Sequence, residues 1–198
     1  MHTVMTGVRR FSQWGLWFGG ALVLLAAVLI GIDVLMRKFL ARSIGGADEL
    51  AGYALAIGTA WGLGATLLDR AHIRIDSLYV LFPSKLRLLL DVIGVVLLIA
   101  FFGLVAWHGL GVVSQSWVSA TRSQSALETP TVIPQFVWIV GLIAFVVTGL
   151  VLLVRALMLA TAGDVQSVAG LIGTRSAEEE IEAEIRDLKE RTDRAGRG

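Results

Sequence analysis

Cysteine is absent from the 198 residues, which excludes disulfides, thiolate metal sites and cysteine nucleophiles. The absence leaves the compartment undecided. Charge is scarce too: 17% of the residues are charged, against about 25% in ordinary soluble domains. The formal net charge is only +1, so the chain shows no electrostatic footprint of nucleic-acid binding. What it has instead is apolar surface. Hydrophobic residues make up 56% of the sequence and the mean hydropathy is +0.75. Several long uncharged runs concentrate that excess, the pattern of an integral membrane protein.

A helix of about 20 apolar residues crosses the hydrocarbon core, and four runs meet that length: Trp14–Met36, Leu50–Leu68, Leu86–Val113 and Phe136–Leu159. The expected fold is an all-α integral membrane protein with four transmembrane helices and a short charged C-terminal cytoplasmic helix. Residues 1–13 read as a polar leader, 14–162 as the membrane domain and 163–198 as a charged tail. The first run is longer than a signal-peptide core, and no small-residue cleavage site follows it, so it reads as an uncleaved span. Trp14 and Trp17 stand where interfacial aromatics anchor a helix.

Polar residues inside the runs are few. Asp33 lies near the end of the first span with Arg37 one turn on, a spacing that pairs them. An intramembrane carboxylate is also a candidate cation or proton site, and both readings stay open. Gly58 and Gly62 have the small-xxx-small spacing that lets helix backbones approach closely in lipid, as do Gly15 and Gly19. The loop from Asp69 to Leu86 mixes charge with Ile73, Ile75, Leu78 and Phe82, a composition suited to the interface. Arg87 and Asp91 pair at one turn. His108 is a lone deep histidine with no second histidine at its depth, so no haem site assembles. In the tail, Ser176–Glu179 fits a capping box. Ile181, Ile185 and Leu188 recur at helical spacing among charged pairs, as a thin stripe that is either solvated or able to dock a partner.

Lysine and arginine near the span ends set orientation. Arg9, Arg10, Arg70, Arg74, Lys85, Arg87 and Arg155 collect on one side; Arg37, Lys38, Arg42 and Arg122 collect on the other. The bias places both termini in the cytoplasm. No nucleophile–base pair, metal-spaced cluster or phosphate-binding glycine loop is present, so the chain reads as a non-enzyme without a cofactor. Nor do the spans show the broken helices and repeats of a complete transporter. Such a chain suits a membrane subunit that holds or completes something larger.

One stretch sharpens this. Asp48-Glu49-Leu50, Gly52-Tyr53, Trp61-Gly62 and Ala71-His72-Ile73-Arg74-Ile75-Asp76-Ser77-Leu78 resemble the small, DctQ-like membrane subunit of tripartite ATP-independent periplasmic (TRAP) transporters. Pro83, Arg87, Leu90-Asp91, Ser125–Pro130 and Ile133-Pro134-Gln135 follow in the same order, and the resemblance runs from Trp14 to Leu159. It implies a bacterial inner-membrane protein. In this family a periplasmic binding protein delivers an organic acid to a large, sodium-driven membrane subunit, and the small subunit packs against the large one. On that basis Gly58, Trp61 and Gly62 are expected at the subunit interface, and Glu49 with Arg37 in a polar cluster on the periplasmic side. His72, Arg74 and Asp76 are expected to fix the cytoplasmic hairpin or its contact with the large subunit. Two other classes remain: a membrane anchor of a respiratory complex, and a small proton-coupled antiporter using Asp33.

Overall fold

The computed structural model describes residues 2–70 and 82–173, with isolated positions 185, 188, 189 and 192 beyond them. Five helices follow one another: α1 (His2–Leu40), α2 (Ala47–Leu68), α3 (Ser84–Val118), α4 (Val132–Thr161) and α5 (Val165–Ile172). The first four are long and apolar enough to cross a membrane. At 1.5 Å per residue, α2 is about 33 Å long, close to the thickness of the hydrocarbon core. The 39 residues of α1 extend to about 58 Å by the same rise. The polar leader therefore continues the first helix rather than preceding it.

Local chemistry marks the helix ends. Arg37 and Lys38 occupy the last turn of α1, where cations favour the helix dipole. Ala41 then turns left-handed with φ 50°. Gly45 and Gly46 follow with φ 63° and 90°, a conformation glycine adopts without a Cβ penalty. Asp48 and Glu49 stand in the first turn of α2, the complementary place for negative charge. Pro134 sits in the first turn of α4, where its missing N–H costs nothing.

In space the spans form a layer rather than a closed ring. α1 packs on α2, α2 on α4, and α4 on α3. The central helix, α4, buries the largest share of its apolar window, 39%, against 11% for α1 and 17% for α3. The two flanking helices thus carry the broad faces that meet lipid or another protein. The core centres on Phe145 and Leu152 of α4, packed with Leu67, Val95 and Ile99. Phe102 meets Phe145 edge to face at 4.8 Å. A second cluster joins Ala60, Ala106, Ile139 and Leu142.

Helix α5 lies within the stretch expected to be tail. Asp164 caps it, accepting from the Ser167 backbone N–H at 3.0 Å. Hydrogen bonds from the Ser167 hydroxyl and then from that N–H hold the Asp164 carboxyl below its usual range. Val168 and Ile172 are buried in the core beside Ala156, with Met5 of α1 packed against the same cluster, so α5 closes the end of the layer at which α1 begins. The charged helix expected from Ser176 falls on residues outside the described set, apart from the four isolated positions.

Candidate functional site

Two places gather the residues singled out in the sequence. One is the seam between α1 and α2; the other is the end opposite the start of α1, here the far end.

The seam is built from glycine. A Cβ on Gly19 would stand 2.5 Å from the Gly58 carbonyl oxygen, and one on Gly58 would stand 2.8 Å from the Gly19 oxygen. Backbones this close are the geometry that small-xxx-small spacing permits. Gly15 lies against the Trp61 backbone, and Gly62 faces Leu16. The Trp61 ring turns the other way, toward α4. Its Nε1 donates to the Val137 carbonyl at 2.9 Å, and Gly141 leaves room for the indole. Phe18 meets it edge-on at 5.4 Å, with Phe11 tilted at 5.9 Å. Gly58, Trp61 and Gly62 therefore make their close contacts inside the chain, tying three helices together. Val137 and Gly141, which complete the indole site, carry no sequence signal of their own.

The far end holds the polar groups. Asp33 is buried, with 1% of its surface exposed, and all its partners are local. Oδ1 accepts from the Ile44 N–H at 2.6 Å and from the Ser43 hydroxyl at 3.0 Å. Oδ2 pairs with Arg37, which also reaches Asp48 at 3.5 Å. The carboxylate thus ties the α1–α2 connection back onto α1. Both of its oxygens are engaged by groups of the same chain.

Glu49 stands one residue beyond Asp48 but faces elsewhere. Its nearest polar neighbours are Ser125, Tyr53, Ser123 and Thr129. The connection from 119 to 131 folds over it through an antiparallel bridge between Arg122 and Pro130. Ser123 N–H donates to the Thr129 carbonyl at 2.9 Å, and Thr131 N–H to that of Thr121 at 3.1 Å. Gly46 lets this loop approach, since a Cβ there would meet Leu127 at 2.5 Å. The fold therefore joins the Asp48-Glu49-Leu50 and Ser125–Pro130 motifs, which are more than seventy residues apart in the chain. Arg37 and Glu49 share the far end without pairing: Arg37 turns to the two aspartates, Glu49 to the hydroxyls.

At the opposite end, Arg9 lies 3.8 Å from Asp69 and Arg70 donates to the Ala169 carbonyl of α5 at 3.5 Å. These contacts flank the loop motif of His72, Arg74 and Asp76, which lies outside the described residues. Among the described residues no group of three metal-binding side chains forms. His108 is exposed on α3, facing away from the core.

Comparison with known proteins agrees with this layout. A family model described as "Tripartite ATP-independent periplasmic transporters, DctQ component" matches residues 12–159, from within α1 to near the end of α4. Comparison with curated proteins and with solved structures returns no match. The matched segment contains the glycine seam, the Trp61 site and both far-end motifs. By that match the chain belongs to the DctQ family, the small permease component of TRAP transporters.

Proposed function

We propose that this chain braces the large membrane subunit of its transporter, which drives sodium-coupled uptake of an organic acid handed over by a periplasmic binding protein. The observation that carries the reading is the division of surfaces. Polar groups with clear partners are used inside the layer or at its ends, while α1 and α3 keep wide apolar faces uncovered. A subunit that moved a solute by itself would need polar groups lining a path at mid-membrane depth. Here the far-end carboxylate Asp33 is consumed by its own loop. In this orientation the far end is periplasmic and both termini are cytoplasmic, following the excess of arginine at the terminal end.

Affinity purification of the subunit in mild detergent, with mass spectrometry of what accompanies it, tests the reading. A much larger multi-span protein in constant ratio is the expected result. A subunit that purifies alone, or with a flavin or haem protein, would overturn it. The absence of cysteine makes topology simple to check with single cysteines. An impermeant maleimide should label Ala126→Cys in spheroplasts, and Gly7→Cys only after permeabilisation.

A further inference from the structure

Several hydroxyls on the spanning helices bond back to their own backbone. Thr59, Thr66 and Thr161 donate to the carbonyls of Leu55, Leu63 and Met158 at 2.8, 2.8 and 2.9 Å, and Thr148 donates to that of Ala144 at 2.8 Å. Ser12 of α1 departs from this pattern. It is 4% exposed, and its Oγ, shielded from solvent, finds no hydrogen-bond partner among the described residues. Ser12 lines a cavity of about 10 Å³ between α1, α2 and α4, together with Thr148, Gly64, Trp61 and Phe145. Thr148 is also buried, at 3% exposed. Gly64 opens the space. A Cβ built on it would lie 3.1 Å from the Ser12 Oγ and 3.7 Å from the Thr148 Oγ1, so the two hydroxyls converge on the spot where glycine has no side chain.

Burying a hydroxyl without a partner is unfavourable, so a small polar group that completes it is stabilising. The dimensions of the site name that group. A buried water needs a cavity of roughly 10–15 Å³ and at least two polar partners, and this cavity is on that scale with two hydroxyls in it. Nothing larger fits. A hard cation of similar size takes about six oxygens, whereas the side chains here supply those of Ser12 and Thr148. The direction of the bonds follows from the neighbours. The Thr148 proton is spent on Ala144, so its oxygen accepts from the water, and the Ser12 hydroxyl is free to donate to it.

We infer that one water molecule is bound between Ser12 and Thr148, beside Gly64, and ties α1 to α4. Helix α1 packs mainly on α2 and touches α4 only slightly. In lipid, where apolar burial between helices gains little, a water shared by two buried hydroxyls is a polar tie between them. The site lies one turn inside the end of α2. It also gives glycine at position 64 a reason, since a methyl group there would take the place of the water.

The test uses the full-length subunit in lipid vesicles. Water-edited solid-state NMR should carry magnetisation from water to the Cβ carbons of Ser12 and Thr148 at short mixing time, and Gly64→Ala should abolish that transfer at both. Ser12→Ala should lower the thermal midpoint by about 2–4 °C, the shift of one hydrogen bond in a chain of this size. Thr148→Val should lower it by at least as much, because the bond to Ala144 goes as well. A bridge needs both ends, so Ser12→Ala should cost little once Thr148 has been replaced by valine. Additive losses would assign the Ser12 proton to the Val8 carbonyl of its own helix and overturn the bridge. A Ser12→Ala variant as stable as wild type, or a Ser12 carbon that receives no magnetisation from water, would show a dry cavity and overturn it too. Each of these results leaves the proposed subunit pairing untouched.

Discussion

Replacing Gly19 by alanine adds one methyl group at the tightest point of the α1–α2 seam. That Cβ would lie 2.5 Å from the Gly58 carbonyl oxygen and 3.0 Å from the Gly58 Cα. Both are backbone atoms, so no rotamer change relieves the clash. To reach ordinary contact, the helices must separate locally by about 1 Å, which forfeits roughly a quarter to a half of each dispersion contact along that stretch. Overpacking of this kind costs about 1–3 kcal/mol. With about 2–4 °C per kcal/mol for a chain of this size, the thermal midpoint of the purified subunit should fall by about 2–12 °C. Gly20 is the control, since a Cβ there meets nothing within 4 Å; Gly20→Ala should be neutral. Gly58→Ala presses on the same seam from the other side, against the Gly19 oxygen at 2.8 Å and the Val23 side chain at 2.9 Å. Once one methyl has opened the seam, the second enters space already made. The double variant should therefore lose at least about 0.5 kcal/mol less than the sum of the singles. A neutral Gly19→Ala, an equally harmful Gly20→Ala, or strict additivity would refute the close-approach account.

Other contacts give further tests. Trp61→Phe removes the indole donor to Val137 and part of the ring contact with Gly141, and should destabilise the subunit by about 1–2 kcal/mol in thermal unfolding. Asp33→Ala should lower the thermal midpoint more than Ser43→Ala, because it removes the acceptor of the Ile44 N–H and of the Ser43 hydroxyl and leaves Arg37 with Asp48 alone. Transport by the intact complex should then fall only in proportion to assembled protein, whereas loss of transport with assembly unchanged would point to a coupling role. The Asp164 carboxyl has a lowered folded-state pKa, so its contribution is complete above the unfolded value and is lost as pH falls through the lower folded value. Hydrogen-exchange protection of α5 should therefore drop on acidification below the ordinary carboxylate range, and Asp164→Ala should abolish that drop.

Hydropathy made the four spans legible, because lipid demands long apolar helices whatever their packing. The i,i+4 spacing likewise exposed the Asp33–Arg37 pair. Other features depend on contacts that spacing does not encode. The Gly58 and Gly62 pattern marks a helix face suited to close approach, yet the helix that fills it is α1 of the same chain. Nothing in a small-residue pattern distinguishes an internal neighbour from a partner subunit. Ser43 and Ile44 reach Asp33 only because the chain turns back at Ala41, left-handed just past the end of α1. Helix α5 spans eight residues, too few for a hydrophobic period to stand out; its only local signals are Gly163 and the Asp164 cap.

The same physics explains why this layer suits a bracing role. Lipid tails are as apolar as leucine, so burying leucine between helices gains little, and association must come from close packing and polar contacts. This chain places those contacts along its centre and at its ends: glycine against glycine, the indole donor on Val137, Asp33 on its own loop, and α5 closing the terminal side. Its outer helix faces, such as Trp107, Leu104 and Phe101 on α3 or Leu24, Leu25 and Val28 on α1, take no part in holding it together. They are therefore free to exchange lipid for another membrane protein without disturbing the fold. Selection for such a partner would act mainly on shape along those faces, because close packing rather than apolar burial drives association in lipid.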